Sequence, residues 1–463
     1  MSDWKFHHWL LLAIGAAGAL ILIGAGVQAD RFARIGAGYK AKVACSEIFL
    51  AGRSADDVVA REFEGINPMM SKIAVKADIE NKKASAAGPL GFGRANAVYR
   101  EGYGCTLANA GRLHTLPEPS PAFSSDPWPG AKATSPDNLN KVDYTALNAS
   151  LDSVFVNNEP NHRAVLVIVD GKLVAERYAE GFDKDTPFLS WSMGKSVTAT
   201  VAGAAALRGL IDIDDPAPVA AWADDPARSA ITWNDFLQMQ SGLAFEENYG
   251  APRSDVNRML FEMADSGVIA ANAAAAHPPG TVWYYSSGTT NLISKLLRQE
   301  MSASGVDYHA FARQAIFDPI GAASVVMEPD ATGNFIGSSF IYATARDWAR
   351  LGQLYLQDGV WDGERILPEG WAAYVSAPAS AADGQYGAHF WLNRDGEDGR
   401  TRFLQGLPEE VYFMSGHEGQ FVFIIPSKRM IIVRTGMTRG QPSLPATAPL
   451  VKEIYQSVNS AAN

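Results

Sequence analysis

The sequence predicts an α+β fold: an antiparallel sheet flanked by helices, with a mostly helical region inserted between its strands. Three observations predict it. Ala164–Val169 and Lys172–Tyr178 are apolar, strand-forming runs joined by an Asp170-Gly171 hairpin turn. A second pair, Gln420–Ile425 and Met430–Arg434, lies near the other end of the chain around a Pro426-Ser427 turn. The sequence between the two pairs has helical character.

Residues 9–27 are almost wholly apolar and carry no charge. Roughly 20 such residues span a bilayer, and secretory apolar regions usually run about 7–15. Residues 1–29 are therefore a membrane anchor or a signal peptide with a cleavage site at Val27-Gln28-Ala29. Lys5 precedes the run and Arg31, Arg34, Lys40 and Lys42 follow it, so the flanks do not choose an orientation. Residues 40–115 form a small accessory unit, helical over Ala55–Glu64 and with Val98 and Tyr99 in a strand. It holds the two cysteines, Cys45 and Cys105. An exported chain can join them in a disulfide worth on the order of 3–4 kcal/mol; otherwise they are two buried thiols. Lys40 and Lys42 separate Cys45 from the apolar run, which argues against lipidation. A Pro-rich linker spans 116–140, with Pro117, Pro119, Pro121, Pro127, Pro129, Gly130 and Pro136.

The main domain covers 141–463. Its predicted helices are Ser192–Gly209, Trp233–Gln240, Asn291–Met301 and Ala345–Gln357, with Leu450–Val458 closing the chain. The chain has 463 residues, 47% hydrophobic and 19% charged, which is ample for a large core. A net charge of -11 argues against a general nucleic-acid binder.

Ser192-Met193-Gly194-Lys195 carries the chemistry. Serine and lysine three apart on a helix share one face, so the amine can reach the hydroxyl. A lysine held neutral there can take the serine proton. The same spacing at Ser2–Lys5 is accidental. The helix behind Ser192 is rich in glycine and alanine, so it can pack closely; burial would lower the Lys195 pKa. Tyr285, within Pro279–Ser287, offers a phenol for proton transfer, and Ser287 a hydroxyl for Lys195 or a substrate carbonyl. Gly416-His417-Glu418-Gly419-Gln420 opens a predicted strand, and its glycines permit close approach of a ligand.

Ser192-x-x-Lys195, Tyr285-Ser286-Ser287 and His417-Glu418-Gly419 together resemble the three motifs of the class C β-lactamase-like serine hydrolases. Ser241-Gly242-Leu243 and Tyr342–Gly352 match that superfamily too, over about residues 145–460. The resemblance implies a β-lactamase/DD-peptidase-like fold. Gly242–Tyr249, Tyr386–Asn393 and Ser415–Gln420 are similar to the 6-aminohexanoate-dimer hydrolase branch. By that similarity Tyr249 and Trp391 line the pocket. The resemblance also implies an oxyanion hole from the amides of Ser192 and Gln420.

Two departures bear on substrate. Ser287 stands where the second motif usually has asparagine. His417 stands where β-lactamases usually have lysine, and a neutral imidazole attracts a drug carboxylate less than an ammonium does. The expectation is a metal-independent, cofactor-free serine hydrolase of small amides or esters. In it Ser192 is the nucleophile, Lys195 and Tyr285 are general base and acid, and Gln420, Ser287, His417, Gly419, Tyr249 and Trp391 bind substrate. The alternatives are a penicillin-binding D-alanyl carboxypeptidase or β-lactamase, and a non-catalytic envelope binding protein. The implied location is extracytoplasmic (periplasmic), with residues 9–27 in the membrane if uncleaved.

Overall fold

The computed structural model describes residues 2–108, 112–122, 139–156, 160–397 and 399–459. Of the linker, Leu116–Pro121 is described and has no regular structure, while Pro127, Pro129, Gly130 and Pro136 lie outside the described residues.

Helix α1 (Ser2–Phe49) runs unbroken through the apolar segment and into the folded body. The four strands that follow, β1 (Ala74–Asp78), β2 (Lys83–Ala87), β3 (Ala95–Arg100) and β4 (Gly104–Leu107), form an antiparallel meander. Ala84, Ala86, Ala95 and Ala97 give the meander a face small enough to lie close on Ala37, Ala41 and Ala44 of α1. A disulfide joins Cys45 in α1 to Cys105 in β4, with Cα atoms 6.0 Å apart. The same hydrophobic cluster continues into Trp191, Phe245, Phe261, Phe340 and Tyr342 of the downstream chain.

Two of the four basic residues after the apolar run are interior groups, which corrects their reading as flanking charges. Lys40 donates to the Ile73 carbonyl at 3.0 Å. Lys42, wholly buried, pairs with the buried carboxylate of Glu328. Glu328 also accepts from Ser46 Oγ at 2.8 Å and Cys105 N at 2.5 Å. Arg31 and Arg34 remain exposed.

Downstream come α2 (Tyr144–Val156), β5 (His162–Val169), β6 (Lys172–Tyr178), α3 (Met193–Leu207), α4 (Asp255–Phe261), α5 (Ser287–Ala303), α6 (Ala345–Leu356), β7 (Trp391–Leu392), β8 (Tyr412–Gly416), β9 (Gln420–Ile425), β10 (Met430–Gly436) and α7 (Ser443–Gln456). The sheet order is β7-β8-β9-β10-β5-β6, antiparallel throughout. The first and last strand pairs therefore lie side by side, with Ile432 opposite Val167. Every residue of β5 is buried because both sheet faces are covered. Val165, Val167 and Val169 meet Leu147 and Leu151 of α2 and Leu450 and Ile454 of α7. Leu166 and Ile168 share the opposite core with Val197 of α3 and Leu351 and Leu354 of α6. Burying each such side chain stabilises by roughly 1.5–3 kcal/mol.

Candidate active site

Ser192 sits at the N-terminal end of α3 but its side chain caps nothing there. It follows Trp191, whose φ of 43° lies in the left-handed region. A large residue in that conformation costs on the order of 1–3 kcal/mol and must be held by its surroundings. Here the indole is 4% exposed. It stacks on Tyr39 of α1 (centroids 6.2 Å, planes 7° apart) and meets Phe340 at 5.8 Å and His417 at 5.5 Å.

Lys195, one helical turn on, is 1% exposed. Its Nζ lies 3.1 Å from Ser192 Oγ, 2.8 Å from Ser287 Oγ and 3.3 Å from the Ser338 carbonyl. The amine also stands 4.6 Å from the centroid of the Tyr285 ring. Burial lowers its pKa to about 8, against an opposing pull from the Glu247 carboxylate.

Ser286 caps α5 by accepting from Thr289 N at 3.1 Å, which puts Ser287 at the first helical position. There Glu247 takes both Ser287 donors, the amide at 2.8 Å and the hydroxyl at 2.6 Å. A carboxylate is favourable at a helix N-terminus.

Tyr285 packs half-buried among Trp283, Tyr386 and Trp391, with its phenol beside Ser192. Burial, then Glu247, hold its phenol protonated well above the ordinary tyrosine range. Trp391, on β7, backs the Tyr285 ring at 5.6 Å. Tyr249 stands half-buried beside Ser287 and Ser339, and its ring stacks on His417 at 5.6 Å. Lys195 thus links Ser192 and Ser287 by hydrogen bonds, Tyr285 and Tyr249 stand beside this group, and His417 lies at its exposed edge, its side chain 52% accessible.

The 416–420 turn differs from its sequence reading. It joins β8 to β9, with Glu418 at φ 59° and Gly419 at φ 91°. The space beside Gly419 is filled by the Arg434 guanidinium, which donates to the carbonyls of Glu418 (3.1 Å) and Gly419 (2.6 Å). Gly416 lies against the Ser190 carbonyl. Both glycines admit the protein's own atoms. The Gln420 carboxamide donates from Nε2 to the Gly436 carbonyl at 2.6 Å and accepts at Oε1 from the Gly436 amide at 3.1 Å, which leaves ligand contact to the residue's backbone.

Sequence reasoning missed Trp191, Glu247 and Ser338 as parts of this site. Only Glu247 left a signal: it lies two residues before Tyr249, and alternate residues of extended chain share a side.

The sequence signature of the family described as Beta-lactamase matches residues 163–456. The chain belongs to the beta-lactamase family. The family signature takes in α3, α5 and the whole sheet. A curated relative, the 6-aminohexanoate-dimer hydrolase of Paenarthrobacter ureafaciens, is 29% identical over 231 residues. That match covers 47% of this chain and 57% of the relative, so little more than half of the relative's length is spanned. Among solved structures, a family VIII carboxylesterase superposes with a TM-score of 0.52 at 16% identity, over 70% of this chain and 100% of its own. A penicillin-binding protein homolog from Caulobacter crescentus gives 0.52 at 17% identity, over 70% and 100%. These likenesses show a shared beta-lactamase-family fold.

Proposed function

We propose that this protein is a serine hydrolase that cleaves small amide or ester bonds through an acyl-enzyme on Ser192. The observation that carries the reading is the donor count around Lys195. Glu247 can only accept, so the Ser287 hydroxyl is committed to it and must accept from Lys195. The Ser338 carbonyl can only accept as well. A neutral Lys195 therefore spends both N–H bonds on these two groups. Its lone pair is left facing Ser192 Oγ, which is the arrangement a general base requires.

In this reading Lys195 takes the Ser192 proton as Oγ attacks the carbonyl. Tyr285, held in its protonated form, passes its proton to the leaving group and is reprotonated by Lys195, which then takes a proton from the water that releases the acid. The backbone amides of Ser192 and Gln420 stabilise the oxyanion. His417, Tyr249 and Trp391 border the substrate. Amide or ester substrates are supported by the name of the curated relative and by the imidazole at 417. Loss of a general base typically costs about 10²–10⁴-fold. Lys195→Ala is expected to lose at least that much hydrolysis of p-nitrophenyl esters and short amides, and Ser192→Ala is expected to lose labelling by a fluorophosphonate probe. Near-parental activity in either variant would sink the mechanism.

We infer further that residues 9–27 anchor the chain in a membrane, with the folded body on the oxidising side. α1 contains a stretch long and apolar enough to cross a bilayer. The Cys45–Cys105 disulfide fits an exported body. N-terminal sequencing of membrane and soluble fractions tests this: a chain found only in the soluble fraction and starting near Asp30 would refute it.

A further inference from the structure

We propose that the face where α1 enters the folded body rests on an anionic bilayer surface, with Leu90 at its tip and arginines around it. The proposal rests on the anchor reading above. Residues 9–27 rise about 28 Å as helix, close to the roughly 30 Å of a hydrocarbon core. The next turns of α1 stand at headgroup depth. They present exposed Arg31, Phe32 and Arg34.

The 88–93 loop packs on these same turns. Gly93 donates its amide to Asp30 Oδ1 at 2.8 Å and lies against the backbone of Ala33, and Gly88 also meets Ala33. At the loop's tip Leu90 is 96% exposed and holds a φ of 58°. A water-facing turn favours glycine or asparagine in that conformation. Leucine there gains nothing from the fold. It gains on transfer into an apolar phase, and the apolar stretch of α1 brings that phase to within a few turns.

Charge agrees. The chain as a whole carries -11, yet Arg31 on α1 and exposed Arg94 beside the loop gather here with Arg34, whose pairing with Asp30 at 2.7 Å leaves the face with a net positive charge. Gly91 lies against the Arg94 side chain, so guanidinium and apolar tip share one small surface. Apolar tips ringed by arginine or lysine fit interfacial insertion into anionic lipid. α1 is continuous, so the body has no flexible tether that would let this face turn away. Docking also holds the candidate site near the lipid: Arg253, in the loop that carries Glu247 and Tyr249, reaches the Arg31 carbonyl at 3.5 Å.

The test uses the full chain in phosphatidylcholine–phosphatidylglycerol vesicles. The two native cysteines are paired with each other, so Leu90→Cys accepts a single environment-sensitive fluorophore. Val156→Cys, at an 80% exposed position on α2, is the control. The expected result is blue-shifted emission at 90, quenched several-fold by a bilayer-embedded nitroxide, with water-like emission at 156. Co-flotation of the chain with vesicles is read separately. A chain that does not float overturns the anchor; a chain that floats with a water-like label at 90 overturns the docking. Equal quenching in pure phosphatidylcholine would remove the anionic part of the proposal. Both labelled chains must keep the parental thermal transition.

Discussion

Lys195 titrates within reach of ordinary assays. With a pKa of about 8, roughly a tenth of the population is neutral at pH 7. kcat/KM for a neutral ester is expected to rise with pH through a limb near 8 and level above it. Glu247 favours the charged amine, so Glu247→Gln is expected to move that limb to lower pH. A limb that stays in place would show that Glu247 does not act on Lys195. Stability carries the same titration. The unfolded lysine binds a proton up to its ordinary 10.5, the folded one only to about 8. The unfolded state therefore holds more protons between these values, and stability rises with pH across that window. The deficit is fully present below pH 8 and amounts to about 3 kcal/mol. Denaturant melts of Lys195→Met against the parent, from pH 7 to 10, are expected to converge as pH rises. Ser192, Lys195, Tyr285 and Ser287 were legible because helical spacing and short motifs encode them. Trp191 and Ser338 were not, since a positive φ and a carbonyl's direction are set by distant packing.

Among the elements, the strands were the most legible. Ala164–Val169 and Gln420–Ile425 are apolar on both faces, and the structure covers both. The helices shifted at their ends: 233–240 shortens to Trp233–Leu237, and the closing helix begins at Ser443 instead of Leu450. The Val75–Ala77 stretch of β1 gave little signal, because alanine and lysine favour no strand and only α1 makes its partners apolar. Nor does sequence tell a buried lysine from a surface one. Lys42 depends on Glu328, and Glu328→Ala is expected to destabilise by about 3–5 kcal/mol by stranding a buried ammonium. A joint Lys42→Met, Glu328→Leu chain should recover most of that loss in urea melts. Gly419→Ala would strain the turn and push on Arg434. It is expected to lower both the thermal midpoint and ester turnover.

At the scale of the whole molecule, the N-terminal helix and the beta-lactamase-family body share one hydrophobic cluster. Removing the Cys45–Cys105 link, whose ends are 60 residues apart, is expected to cost about 3–4 kcal/mol. The cost is readable as a lower thermal midpoint in a Cys45→Ser, Cys105→Ser chain, and one unchanged from the parent would show that the cluster alone seats α1. In the anchored arrangement proposed above, α1, unbroken from lipid-length segment to core, also acts as a drive shaft. Each residue inserted near Gln28 would turn the body by about 100° about the helix axis and lift it about 1.5 Å. One inserted alanine would swing Leu90 out of line, while seven would bring it back nearly in phase but about 10 Å higher. The chain thus fixes an azimuth as well as a distance, and a linker of the same length without helical continuity would fix neither.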